Sequence, residues 1–174
     1  MQKISGNATL SASAPIKGLS AADAALDAAY RTTAYRVFCD DFPGGVVEIR
    51  VDDEHPVLDV WLNKQGTGCW SFLTADNPQS VHLPAEQNRQ RFAALENMLK
   101  AGGKPFLIGE AVADNGAWPT EAGFLVAGMS AEDAGLLARY WGQNAYLSGG
   151  CGEVARLIWL QKCAPEVAGI AHIG

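Results

Sequence analysis

Three times along this 174-residue chain, two apolar runs stand back to back across a short turn-forming segment. No other feature restricts the fold as strongly. TAYRVFCD and VVEIRV meet at DDFPGG, KPFLIGEAVA and GFLVAGM flank DNGAWPTE, and NAYLS and EVARLIWLQ flank GGCG. Connections this short join antiparallel neighbours, because a parallel pair needs a crossover of a dozen residues or more. A seventh run, CWSFLT, is apolar almost without interruption, as expected of an internal strand buried on both faces.

Helical periodicity fills the gaps between these runs. An Ala-rich segment opens at Ser20 with Asp23 three residues on, a variant capping box, and runs to about Thr33. Leu26, Ala29, Tyr30 and Thr33 share its sheet-facing side. Pro56 suits the first turn of a second helix, whose stripe is Leu58, Trp61 and Leu62. A third runs from about Ala85 to Ala101, placing Phe92, Leu95, Met98 and Leu99 inward, and stops at Gly102–Gly103. Ser130 with Asp133 caps a fourth, with Leu136, Leu137 and Tyr140 as its buried face. The order is α-β-β-α-β-α-β-β-α-β-β. Hairpins outnumber parallel units, so the fold class is α+β: a mixed, mainly antiparallel sheet with packed helices.

The length fits one domain burying about two-thirds of its unfolded surface. Residues 1–19 read as a poorly ordered lead-in, 20–164 as the domain and 165–174 as a tail. The net charge of −6 disfavours nucleic acid and anionic membranes as partners, since both reward a basic surface. No apolar run approaches the ~20 residues needed to span a bilayer, and the N-terminus lacks a signal-peptide core. The expectation is a cytoplasmic protein. Cys39, Cys69, Cys151 and Cys163 fall in no CxxC spacing, and His55, His82 and His172 are dispersed, so no metal site is expected. GxSxG, GxGxxG and GxxxxGK[ST] are absent, and no cofactor is expected. The acidic runs Asp40–Asp41 and Asp52–Glu54 sit where turns and helix starts favour them anyway.

Two segments remain as candidates. In FLTADNPQSVHLPAEQNRQRF, Thr74, Asp76 and Asn77 lie just past a strand end, where polar side chains can converge on a ligand. Asn88 and Arg91 are neighbours on the helix that follows. Arg91 can pair its planar fork with a carboxylate or phosphate. Asp76 and Pro78 read as turn residues and Arg89 as a solvent-facing charge. In YWGQNAY, Gln143 and Asn144 bridge a helix end to a strand start.

These residues carry a resemblance. Thr74-Ala75-Asp76-Asn77-Pro78, then Asn88, Arg91 and Leu95, Gly109-Glu110, Trp118 with Glu121, and Gly142-Gln143-Asn144-Ala145 together resemble the bacterial family called domain of unknown function 3293. The similarity runs roughly from Ala29 to Leu160. Gly123 stands where the family pattern has a Ser, so a role for that hydroxyl does not carry over. The resemblance implies that these polar positions matter without saying how.

Two functions follow as expectations. One is a pocket beside the sheet for a small anionic ligand, a metabolite or nucleotide. Thr74, Asn77, Asn88, Arg91, Gln143 and Asn144 would bind it, and Glu110 or Glu121 would serve as general base if burial raises its pKa. The other is a non-catalytic interaction module. Its polar set would be a structural network, and a protein partner would meet an apolar patch near Trp118 or Trp141.

Overall fold

The computed structural model describes residues 21–160, and side chains from residue 23 onward. The lead-in, Ser20, Gln161, Cys163, His172 and the tail lie outside the described residues. Within them the elements follow the expected order. They are α1 (Ala21–Arg31), β1 (Thr33–Phe38), β2 (Val46–Ile49), α2 (Pro56–Lys64), β3 (Cys69–Thr74), α3 (Ala85–Gly102), β4 (Phe106–Ala113), β5 (Glu121–Ala127), α4 (Ala131–Tyr140), β6 (Ala145–Gly150) and β7 (Arg156–Trp159). The fold is α+β.

All seven strands join one sheet in the order β2-β1-β4-β5-β3-β6-β7. Every pairing among the described residues is antiparallel, so the parallel component allowed for in a mixed sheet is absent. β3, the apolar CWSFLT run, lies inside the sheet between β5 and β6. The sheet curls into a half-barrel whose edges touch. Just past β2, Asp52 N–H donates to Ala155 O (2.8 Å), and Ala155 N–H donates to Asp53 O (2.9 Å) just before β7.

The period-two alternation of side chains sends alternate residues to opposite faces. The concave face carries Tyr35, Val37, Trp70, Phe72, Leu125 and Leu147, which pack with Leu58, Trp61 and Leu62 of α2. The convex face carries Leu73, Phe124, Val126 and Tyr146, covered by Leu95 and Leu99 of α3 and by α4. Phe72 occupies a slot that two glycines leave open. A Cβ on Gly109 or Gly123 would lie 2.8 Å from its ring. Gly123 is therefore a residue that fits beneath Phe72 in this chain.

Two helix faces differ from expectation. Ser130 caps α4 as expected, its Oγ accepting from Asp133 N–H at 3.1 Å. The buried residues of α4, however, are Ala134, Gly135 and Ala138, while Leu136 and Tyr140 are 61% and 72% exposed. Small side chains let α4 approach the sheet closely: a Cβ on Gly135 would stand 3.2 Å from the Tyr146 hydroxyl oxygen. Met98 of α3 is also exposed rather than inward. Leu136, Tyr140 and Met98 instead line an open apolar groove of about 420 Å³ between α3 and α4.

Candidate functional site

β3 ends at Thr74, and the chain then makes a loop that local preference alone would not choose. Asn77, Gln79 and Ser80 all adopt positive φ, at 43°, 55° and 56°. Non-glycine residues enter this region at a cost of order 1 kcal/mol or more, so surrounding contacts must hold them there. Asn77 supplies the main clamp. Its backbone N–H donates to Asn88 Oδ1 (3.1 Å), and its Oδ1 accepts from Asn88 Nδ2 and Leu83 N–H, both at 2.9 Å. Its Nδ2 is left to donate to Glu121 Oε1 at 2.8 Å.

The far end of the helix–strand connection after α4 completes the frame. Gln143 Nε2 donates to Asp76 O (2.9 Å), and Gln79 N–H donates to Gly142 O (2.7 Å). Asn144 Nδ2 donates to Ser80 Oγ at 2.9 Å. Arg91 reaches the loop from α3. Its Nε donates to Ala75 O and an Nη to Trp141 O, both at 2.5 Å, with the guanidinium 5.3 Å from the Trp141 ring centroid. Its Nε and one Nη are therefore taken up by backbone carbonyls.

Beneath this loop, on the concave face, lies a cavity of about 200 Å³. Thr74, Asn77, Gln143 and Glu121 line one side. Tyr30 of α1 and Tyr35 of β1 line the other, with Ala111 and Ala113 of β4 between them. Trp118 closes it from the β4–β5 turn and donates its indole N–H to Glu121 Oε1 at 2.7 Å. Both hydrogen bonds to Glu121 thus fall on one oxygen. Oε2 has no partner among the described residues.

Burial pushes the Glu121 carboxyl above the ordinary glutamate range. Asn77 and Trp118 pull it partly back, and the charge of nearby Asp76 pushes it further up. The Tyr30 hydroxyl is pushed up to about 12 by burial and by the negative field of Glu121, offset in part by Ser80. Tyr35 is raised first by burial, then by Tyr30 and by Glu121. The cavity is thus a weakly polar chamber with one carboxyl group and two tyrosines that stay protonated at neutral pH.

The candidate residues separate into two groups. Thr74, Asn77, Gln143 and Glu121 meet at the cavity. Asn88, Arg91 and Asn144 stand behind them and hold the loop. Glu110 belongs to neither group, because it pairs with Arg36 at 3.5 Å on the convex face. Trp141 is buried, so it offers no exposed patch.

Sequence reasoning passed over Tyr30, Tyr35 and Ser80, although Tyr30 sat on the predicted inner face of α1. It also gave Asp76 to turn chemistry. Asp76 does hold the turn, its N–H donating to Thr74 Oγ1 at 2.9 Å. Its carboxylate, however, is buried. Oδ2 accepts from Ala122 N–H (3.2 Å) and Oδ1 has no partner. Burial raises its pKa, against the opposing pull of that N–H and of Arg91. Among the described residues no three His, Cys, Asp or Glu side chains gather where they could hold a metal ion. Nor is any helix there long and apolar enough to cross a membrane.

Residues 73–146 match the model of a family described as protein of unknown function (DUF3293). That stretch begins in β3, ends in β6 and contains all the candidate residues, although the resemblance read from the sequence extends further on both sides. Neither a curated protein nor a solved structure matches the chain.

Proposed function

We propose that this protein binds a small molecule in the cavity under α1, with Glu121 as the group that ligand hydrogen-bonds. One observation carries the reading. A carboxyl lining a cavity is held by two donors on one oxygen, leaving Oε2 without a hydrogen-bond partner among the described residues. Ligand pockets usually start at about 300 Å³, so a cavity of about 200 Å³ selects a compact molecule. The anion expected from Arg91 has no partner here, since among the described residues no Lys, Arg or His lines the cavity. The ligand we propose therefore carries no net negative charge. If a reaction occurs, Glu121 is the acid–base group, because its raised pKa brings proton exchange closer to neutrality.

Thermal-shift screening of small neutral and charged metabolites tests this, run in parallel on wild type and Glu121→Gln. The expected result is a stabilising hit that is lost in the variant and kept in Arg91→Lys. Absence of hits, or hits equal in wild type and Glu121→Gln, would count against the pocket. One observation favours the alternative, an interaction module: the open apolar groove between α3 and α4. Leu136→Lys would abolish partner binding there while leaving ligand binding intact.

A further inference from the structure

The cavity's chemistry narrows the charge of what it binds. Three aromatic side chains, Tyr30, Tyr35 and Trp118, line the same small chamber as Glu121. The remaining wall is largely alanine and threonine, and among the described residues no Lys, Arg or His lines the cavity beside the carboxylate. A half-buried carboxylate without a counter-charge beside it is a costly arrangement, which a native structure relieves by protonation or by a partner. Aromatic faces carry negative electrostatic potential and attract cations that have lost their water. Walls and carboxylate thus favour the same charge.

We propose that the ligand of this cavity is a small organic cation, a protonated or methylated amine. Glu121 Oε2 is its counter-ion and Trp118, Tyr30 and Tyr35 are its aromatic walls. This rests on the pocket reading above and adds the sign of the ligand's charge. The groups around Glu121 reinforce that sign. Tyr30 from α1 and Tyr35 from β1 are neutral near pH 7, Asn77 and Trp118 are neutral donors, and Asp76 from the loop after β3 adds negative potential. Arg91 acts on Asp76 from the far side and is engaged with two carbonyls. A bound cation would favour the ionised form of Glu121, so binding would release protons and affinity would fall as pH drops through the raised Glu121 pKa.

The test compares choline, methylammonium and tetramethylammonium with 3,3-dimethyl-1-butanol, the uncharged isostere of choline. Binding is read from the indole N–H resonance of Trp118, assigned by its loss in Trp118→Leu. The expected result is saturable binding of at least one cation, about tenfold or more tighter than the neutral isostere. Glu121→Gln should weaken it by a similar factor and remove its pH dependence. Should Glu121→Gln fail to fold, Tyr30→Leu, read by the same Trp118 resonance, gives a second reading: it removes an aromatic wall while leaving both hydrogen bonds to Glu121 in place, and cation affinity should fall. Equal binding of the neutral isostere would overturn the cation assignment. So would a neutral metabolite that binds in a Glu121-dependent way while no cation does, although the pocket would then stand. Failure of every cation and every neutral compound would overturn both.

Discussion

Arg91→Ala separates the structural from the binding role of the polar residues, and the geometry sets its size. The guanidinium bridges Ala75 O at the end of β3 and Trp141 O at the end of α4, each at 2.5 Å. A hydrogen bond from a charged donor contributes about 1.5–3 kcal/mol, giving a gross loss of about 3–6 kcal/mol for two. Arg91 is only half-buried, so water replaces part of what is lost, while stacking on Trp141 adds about 0.5–1 kcal/mol. The expected net loss is about 2–4 kcal/mol. Urea unfolding followed by far-UV circular dichroism measures it, and a protein of this size should also melt roughly 2–4 °C lower per kcal/mol. Arg91→Lys keeps the charge but cannot span two carbonyls, so it should recover less than half. A loss below about 1 kcal/mol would refute the bridging argument, and so would full rescue by Lys. Loss of ligand binding without loss of stability would restore Arg91 to the site.

Three further outcomes follow. Gly123→Ser should destabilise by about 1–3 kcal/mol, because its Cβ would stand 2.7 Å from Leu73 O and 2.8 Å from the Phe72 ring. The cost should shrink in a Phe72→Leu background, as chemical denaturation of the double mutant would report. Asp76→Asn should change how stability depends on pH. The folded pKa of Asp76 lies above its unfolded value, so its contribution is full below about pH 4 and is lost as pH rises through the folded pKa. Denaturation over a pH series should show this falling contribution in wild type and not in the variant. Buried His55 is pushed the other way and loses stability on acidification through its lowered pKa. Its effect is common to both proteins and drops out of the comparison. Finally, Leu136→Lys should change stability by less than about 0.5 kcal/mol while Ala138→Leu costs about 1–3 kcal/mol, the reverse of their hydrophobic ranking. Thermal melts of the two variants decide it.

The strands and their pairing were legible because alternation and turn chemistry are local, and three of the sheet's contacts are simply hairpins. The curl was not. It depends on residues 52–54 meeting residues 154–155, about a hundred positions apart. The α4 face was misread because apolarity is a poor proxy for burial where close approach demands small residues. Ala134, Gly135 and Ala138 carry the contact and leave Leu136 outside. Asn77, Glu121 and Gln143 could be picked out as polar groups at strand and helix ends. The role of Arg91 could not, because a guanidinium that binds phosphate and one that binds two carbonyls look alike until the carbonyls are placed.

A loop that merely joins a strand to a helix has no need of three non-glycine residues at positive φ. Asn77, Gln79 and Ser80 together cost roughly 3 kcal/mol or more. Asn88, Leu83, Gln143, Gly142 and Asn144 all contribute hydrogen bonds that offset that strain. A cheaper loop would serve connection equally well. The strained one achieves something a relaxed one would not: it holds Asn77 Nδ2 at 2.8 Å from Glu121 Oε1, inside a cavity. Asn88 and Arg91 are therefore tied to the candidate site although neither lines it. Their substitutions should register first as stability, and as binding only through the position of Asn77. An Asn77→Gly substitution tests that link: glycine relieves the backbone strain but removes both the donor to Glu121 and the acceptor for Asn88 and Leu83. Ligand affinity lost in this variant, with folding stability changed less than in Arg91→Ala, would mean that the loop's geometry serves the carboxylate. Affinity unchanged would mean that the strain serves something else.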